Sequence, residues 1–432
     1  MASKAAPATI ELDVDGANSL AQIITFVRRA RSVARPEISV STGLSRGLAT
    51  KYIDIAIELN LLRNGEVGQS SGGRAPRMVN FNSSAGSILV AELGATGFSV
   101  ALSDLYGNLV STSYTPADIS KGPEEVLSLV EDSFDELIAS FKIKNLWGIG
   151  IGVPGPVEFA TGLPISPPIM PGWDKFPLRE RFSSQYKVPV WVDNDVNLMA
   201  LGEHALRKDP ITNELIFVKI GSGIGAGILT HGQLHRGAQG CAGDIGHIAI
   251  SSSENVQCRC GNMGCLEAIS GGLALIRDAE VAATNNESAY LGAKKKAKSR
   301  IKVGDVIDGS NSGDRWCVER IVKAGNDLGG VLATLVNFHN PSLIVIGGSV
   351  SAAGDKLLAS IRETVLKRSL PLATRDLQVR ISESSDEAGL VGAVEMVINE
   401  LFSSENLRKW IAVGRPSQSS IHLPRGSASV NA

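Results

Sequence analysis

Cysteine is scarce, with five in 432 residues. That is too few for a disulfide-held scaffold of this size. Three of the five fall between positions 258 and 265, which fits a reducing compartment and a metal site better than cross-links. Long apolar runs are also missing. None reaches the length that spans a bilayer, so no membrane partner is expected. The stretch Met1 to Gly16 is polar and acidic and lacks the basic-then-apolar plan of a secretory signal. Together these absences lead us to expect a cytoplasmic protein. Charge of one sign is lacking too, because the formal net charge is −2. A chain that is basic throughout is thereby excluded, and any contact with nucleic acid must come from a local patch. What remains is 43% apolar and 20% charged, the balance of a soluble globular protein, long enough for two or three domains.

The clustered thiols organise the rest. Gly243-Asp244-Ile245-Gly246-His247 is followed, after a spacer, by Cys258-Arg259-Cys260-Gly261-Asn262-Met263-Gly264-Cys265-Leu266-Glu267. Thiolates with a nearby imidazole are the ligand set that suits tetrahedral Zn²⁺. Gly261 and Gly264 let the backbone turn tightly enough to aim three sulfurs at one point. His247 is the fourth candidate ligand beside Cys258, Cys260 and Cys265. Four protein ligands leave no open position for water, so the zinc is read as structural, pinning the loop that carries Asp244 and His247. A set of free buried thiols is the alternative, and it leaves the spacing unexplained. Cys241 and Cys317 read as small core residues.

Residues 1–17 read as a loose tail. A capping box at Ser19 and Gln22 opens a helix with Leu20, Ile23, Ile24 and Val27 on one face and Arg28, Arg29 and Arg31 at its end. Pro36 and Glu37 open a second, short helix that stops near Gly43. Ser45 caps a third, with Leu48, Tyr52, Ile55 and Leu59 as its buried stripe and Arg46, Thr50 and Lys51 on the opposite side. Strands from Leu61 and from Arg74 to Asn80 flank a turn at Gly65 to Gly73. Helix, helix, turn, helix and hairpin make a winged helix-turn-helix over 18–82. The third helix presents its N-terminal residues to base edges, and Arg74 and Arg77 on the wing suit a narrow minor groove. From 18 to 80 there are nine Lys/Arg against four Asp/Glu, a local +5 in a chain of −2.

Beyond residue 82 the pattern alternates strands and helices. Ser87–Ala91 and Phe98–Leu102 flank Glu92-Leu93-Gly94-Ala95-Thr96-Gly97. A Gly/Thr hairpin of this kind either holds phosphate on backbone N–H groups, through Gly94 and Thr96, or is a plain turn. Leu146–Gly152 ends in Val153-Pro154-Gly155-Pro156, which offers backbone groups to a ligand at a sheet's carboxyl edge. Trp173, in a proline-rich loop, either stacks on a sugar or packs. Val188–Val192 ends in Asp193-Asn194-Asp195. A carboxylate there is placed either as a general base or as a ligand contact and helix cap. A glycine-rich turn runs from Gly221 to Gly227, and a strand ends at Gly347-Gly348. The Lys-rich stretch from Tyr290 to Ser299 reads as solvated surface, and the tail from Ser403 as loose.

The zinc segment closely resembles the signature of the ROK family (repressors, open reading frames and sugar kinases), Gly-Glu-x-Gly-His then Cys-x-Cys-Gly-x-x-Gly-Cys-x-Glu. Thr42-Gly43-Leu44-Ser45-Arg46 with Gly72-Gly73-Arg74 is similar to the DNA-binding part of ROK-type transcription factors. The resemblance implies a two-lobed actin-like, sugar-kinase-like α/β domain over 83–402, with 403–432 as a tail. It implies sugar contacts from Gly155, Asn194, Asp195, Asp244 and His247, and a catalytic base at Asp195 if the chain is a kinase. It also implies phosphate or nucleotide contacts at Gly94, Thr96, Gly221, Ser222, Gly223, Gly347 and Gly348. Two positions depart from the family pattern. Asp244 is one methylene shorter than the usual Glu, and Glu92 stands where an Asp orients Mg²⁺.

These readings converge on a sugar-responsive transcription regulator, a repressor. Double-stranded DNA, as a palindromic operator, and a sugar or sugar derivative are its partners. Ser45, Arg46, Thr50, Lys51, Arg74 and Arg77 form the DNA surface, and a homodimer or homotetramer pairs the heads. The alternative is an ATP-dependent hexose kinase using Asp195, with ATP and Mg²⁺ at the glycine loops.

Overall fold

The computed structural model of the protein describes residues 10–67, 77–207, 210–250, 256–298 and 300–421. The head contains α1 (Val14–Ala30), β1 (Ser32–Ala34), α2 (Arg35–Thr42), α3 (Arg46–Glu58), β2 (Leu62–Val67) and β3 (Arg77–Phe81). Its strands form one antiparallel sheet in the order β1-β3-β2. This is the winged helix-turn-helix plan, with one addition. β1, only three residues long, is too short to leave a periodic pattern.

Two details of the head differ from expectation. α1 starts at Val14, because Asp13 rather than Ser19 is its cap, accepting the Gly16 amide at 2.7 Å. Ser19 lies inside the helix, its hydroxyl donating back to the Asp15 carbonyl. The buried face of α3 is Ala49, Tyr52, Ile53 and Ala56, while Leu48 is 45% exposed. Small alanines line this face where α1 packs against it, so a stripe of large residues alone misplaces it by one position.

The first lobe contains β4 (Ser87–Leu93), β5 (Gly97–Asp104), β6 (Leu109–Pro116), α4 (Pro123–Phe141), β7 (Leu146–Val153), β8 (Val157–Glu158), β9 (Leu163–Pro164), α5 (Leu178–Tyr186), β10 (Val190–Asn194) and α6 (Asp195–Leu206). The second contains β11 (Leu215–Ile220), β12 (Ile224–Thr230), β13 (Gln233–Leu234), α7 (Leu266–Ser270), α8 (Gly272–Thr284), α9 (Ala289–Lys298), α10 (Val303–Asn311), α11 (Arg315–His339), β14 (Leu343–Gly347), α12 (Asp355–Arg368), α13 (Pro371–Thr374) and β15 (Gln378–Ile381). Then α14 (Ser385–Leu401) returns to the first lobe, and α15 (Ser404–Ile411) follows it.

The two five-stranded sheets run β10-β7-β4-β5-β6 and β13-β12-β11-β14-β15. Each opens with an antiparallel hairpin and continues with parallel strands on the other side of its first strand. The lobes therefore repeat one topology, the two-lobed α/β arrangement that the resemblance implied. Carboxyl ends of parallel strands are where open sheets expose ligand-facing backbone. Here those ends lead into β10's Asn194, β11's Ile220 and β14's Gly347.

Helices α6 and α14 bind the lobes together, crossing at backbone contact. A Cβ on Gly202 would lie 1.8 Å from the Ala388 carbonyl oxygen, and one on Gly392 would lie 1.7 Å from that of Leu198. A core of buried side chains runs without a break from the head (Leu20, Ile23, Val27, Phe81) through Trp147 to Leu401, Phe402 and Trp410. The stretch after Ser403 is not loose as far as it is described. α15 packs on α1 with Leu407, Trp410 and Ile411 buried, and the Trp410 indole donates to the Leu401 carbonyl at 2.9 Å. Among the described residues, no helix is long and apolar enough to cross a membrane.

Candidate functional site

A solvent-open cleft of about 890 Å³ lies between the lobes. Its walls include Ala95, Gly155, Asn194, Asp195, Lys219, the Gly221–Gly223 turn, Asp244, His247 and Glu267. The chain places Asn194 there as the residue that ends β10 and caps α6. Its Oδ1 accepts the Val196 amide at 2.9 Å, and its Nδ2 donates to the Gly155 carbonyl at 2.9 Å. Gly155 and Asn194, expected as sugar contacts, are therefore one hydrogen-bonded unit.

Asp193 holds this unit from behind. One of its oxygens accepts the Asn194 amide and the Asn197 Nδ2, each at 2.8 Å; the other accepts Arg236 Nε at 2.8 Å. Arg236 also lies 3.7 Å above the Phe159 ring. A second-lobe arginine is thus tied to the strand end that carries Asn194 and Asp195. Neither Asp193 nor Arg236 was singled out from the sequence, since their pairing spans 43 positions.

Asp195 is 3% exposed, and Lys219 Nζ donates to its Oδ2 at 2.5 Å. Lys219 was also missed. The available signal was one charged residue in the otherwise apolar strand Leu215-Ile216-Phe217-Val218-Lys219-Ile220. Glu92, at the end of β4, completes the cluster. Burial pushes its carboxyl up to about 7, with Lys219 opposing the rise and Asp195 and Asp386 adding to it. Burial likewise works against the Lys219 ammonium, but Asp195 and Glu92 outweigh it and hold its pKa above the ordinary lysine value.

On the far wall, His247, Cys258, Cys260 and Cys265 each bring a ligand atom within 4.8 Å of the others. Cys258 Sγ is 3.5 Å from His247 Nδ1, and Cys260 Sγ is 3.8 Å from Cys265 Sγ. A tetrahedron with metal–sulfur bonds of about 2.3 Å has edges near ~3.8 Å, so the donor set and its spacing fit zinc. Gly261 and Gly264 turn with φ of +93° and +71°, as the close approach of the thiols requires. The other ring nitrogen, His247 Nε2, faces Asp244 Oδ1 at 3.8 Å. Glu267, two residues beyond Cys265, accepts the Ile224 amide at 3.0 Å and so fastens this segment to the start of β12.

The other sequence expectations have mixed outcomes. Trp173 is fully buried, its indole donating to Ile119, and it packs rather than facing the cleft. Cys241, read as core, is exposed and lines the cleft. Cys317 is buried as expected. The glycine-rich turn is shorter than read, because Gly225 and Gly227 lie inside β12. A Cβ on Gly227 would sit 2.6 Å from the Val196 carbonyl oxygen, so packing against α6 accounts for it. Gly94 and Thr96 form the β4–β5 turn, which touches the cleft through Ala95. Gly347 and Gly348 pack against Phe217 and the Ile220 backbone rather than lining the cleft.

On the head, Ser45 caps α3 by accepting the Leu48 amide, and Arg46, Leu48, Thr50 and Lys51 are all exposed. Arg77 is exposed at the start of β3, and Arg74 lies outside the described residues.

The sequence profile of the ROK family matches residues 88–400. A xylose repressor of Caldicellulosiruptor bescii is 31% identical over 374 residues, 86% of this chain and 93% of that protein. A glucokinase of Halalkalibacterium halodurans is 31% identical over 316 residues, 73% of this chain and 96% of its own. The repressor match extends over a share of the chain that the glucokinase match leaves out. Among solved structures, a ROK family transcriptional regulator, a homolog of the E. coli MLC protein, shares the fold. Its TM-score is 0.80 at 24% identity, covering 93% of this chain and all of that one.

Proposed function

From the premise that this chain belongs to the ROK family, we propose that it is a sugar-responsive DNA-binding transcription regulator, acting as a repressor. One observation carries the reading. A head whose helix α3 exposes Arg46 and Lys51 in its N-terminal half is seated, through a continuous core, on a body whose cleft gathers hydrogen-bonding groups suited to a sugar. Asn194, Asp195, Asp244, His247 and the Gly155 backbone take the sugar hydroxyls. The Cys₃His cluster holds structural zinc and keeps the His247 wall rigid. When filled, it would have no open position at which to bind or activate water.

Ser45, Arg46, Thr50, Lys51 and Arg77 face DNA, Arg74 extends that surface, and Leu48 offers an apolar contact of the kind that suits a thymine methyl. Two heads in a homodimer or homotetramer read a palindromic operator. The sugar shifts DNA affinity only by as much as it discriminates between arrangements of the two lobes.

The test is binding to DNA from upstream of the protein's own and neighbouring genes, at stated salt, with excess competitor and a sugar panel. Competitor-resistant binding that one sugar changes is the expected result. Binding no better than to competitor on every fragment rejects it.

The similarity to a glucokinase favours a second reading, an ATP- and Mg²⁺-dependent hexose kinase with Asp195 as base. Sugar-dependent ADP release that Asp195→Asn abolishes would establish it.

A further inference from the structure

Phosphoryl transfer from ATP needs a divalent cation held by carboxylates beside the base that takes the acceptor hydroxyl's proton. In this cleft the candidate base is Asp195, and the neighbouring carboxylate, set outside the lining residues, is Glu92. Strand register brings them together. Gly152 on β7 pairs with Glu92 on one side and with Asp193, the residue two before Asp195, on the other. A Cβ on Gly152 would lie 3.8 Å from Glu92 Cγ and 3.7 Å from Asp195 Cα. Glu92 has little room to withdraw, since its carboxylate lies against Gly389 of α14, where a Cβ would be 2.1 Å away.

Lys219 enters this space from β11. It bonds Asp195 directly and is the nearby cation acting on Glu92. The residues therefore do not fit a divalent ion. Resting on the regulator reading above, we propose that Lys219 is a specificity-determining residue of the cleft. Its tethered ammonium takes the place of the divalent cation and fixes Asp195 as a hydrogen-bond acceptor for the hydroxyls of an uncharged sugar.

Three consequences follow. Sugar recognition does not require a divalent metal. Asp195 spends its charge on Lys219 and on effector hydroxyls, and phosphate transfer is not supported. Acidic sugar derivatives are disfavoured, because Lys219 is already engaged and the remaining charged walls, Asp244 and Glu267, are anionic in type.

The experiment uses the full-length, zinc-loaded protein and titrates Mg²⁺, and Mn²⁺ as a paramagnetic probe, with and without neutral monosaccharides. Wild type, Lys219→Met, Lys219→Arg and the double variant Lys219→Met/Glu92→Gln are compared. Wild type is expected to bind its sugar equally with and without Mg²⁺ and to show no Mn²⁺ site beyond background. Lys219→Met should lose at least about tenfold in sugar affinity, because it leaves the buried Asp195 without its counter-charge. It should gain a Mn²⁺ site and recover sugar affinity in millimolar Mg²⁺. Lys219→Arg should keep metal-independent binding, and the double variant should lose the metal rescue.

Sugar binding by wild type that strengthens with Mg²⁺, or a Lys219→Met variant that binds sugar normally and gains no metal site, overturns the proposal. If no sugar binds the wild type, the regulator reading fails. The Mn²⁺ comparison still decides whether Lys219 stands in for a cation. Should Lys219→Met not fold, Lys219→Gln is assayed in the same way.

Discussion

Arg28 of α1 and Glu395 of α14, 367 residues apart, meet through two parallel hydrogen bonds of 3.0 and 2.8 Å. Their side chains are only 10% and 16% exposed, and Arg28 also donates to the Tyr106 carbonyl at 3.2 Å. The pair joins the head to the helix that packs against α6, whose first residue is Asp195. Glu395→Gln leaves the guanidinium without a full counter-charge. We expect a loss of about 2–3 kcal/mol in stability, below the range for a fully buried pair. The sharper expectation concerns coupling. DNA and sugar should each still bind, but the sugar should change DNA affinity less than in wild type. Equal coupling in a denaturant-stable Glu395→Gln protein would remove this contact from the route between the sites.

Arg46→Ala and Lys51→Ala alter exposed side chains and should leave the thermal midpoint unchanged within about 0.5 kcal/mol of stability. Arg46→Ala should cost about 1–3 kcal/mol in operator affinity if the guanidinium reads a base. Lys51→Ala should weaken specific and non-specific binding alike and lower the salt slope by about 1. Fluorescence anisotropy at several salt concentrations separates the two.

The Cys₃His cluster should carry about one zinc per chain after purification. Cys258→Ser or His247→Ala should release it, lower the melting temperature, and weaken sugar binding through the loosened His247 wall. Metal analysis with thiol titration checks the first point. One zinc retained in both variants would exclude the cluster as the site.

Glu92 gives stability a pH dependence of known sign. Its folded pKa of about 7 lies above the ordinary value of 4.5. Between those two values the folded protein holds a proton that the unfolded chain has released, so this contribution is intact below about pH 4.5 and lost as pH rises through 7. Glu92→Gln removes it. Relative to wild type, the variant should therefore be favoured more at pH 8 than at pH 5, by about 3 kcal/mol at most. Urea melts of both proteins at the two pH values give the difference directly.

At the α6–α14 crossing, Gly202→Ala would drive a methyl group to within 1.8 Å of a backbone oxygen. The helices must then separate. A loss of at least about 3 kcal/mol is expected, the upper end of ordinary overpacking. Gly330, with nothing within 4 Å of its Cβ position, is the control. A helical Gly→Ala change there should be neutral or slightly stabilising. Thermal melts of the two variants make the comparison.

Much of this architecture is legible in the chain because its signals are local. The apolar runs of β7 and β14 locate themselves, and three cysteines within eight residues announce their own convergence. The charged cluster left only one local trace, a lysine in the otherwise apolar β11. Lys219 reaches Asp195 from another lobe, and Arg236 reaches Asp193 from a loop, so neither pairing exists until the sheets have stacked. The glycines of β12 read as part of a glycine-rich turn because spacing does not reveal a helix pressed against a strand. Leu48 read as core because size was weighed over position, whereas the close α1–α3 approach selects alanine.

The seat of α15 on α1 sets an order of events during synthesis. The head leaves the ribosome first, but the Trp410 side of its seat is made about 370 residues later. At the usual roughly 5–20 residues per second, α1 must wait on the order of tens of seconds with part of its apolar face uncovered. A polypeptide released before residue 404 would carry a head able to fold but lacking one of its walls. Such a fragment would be drawn to chaperones before it ever reached an operator.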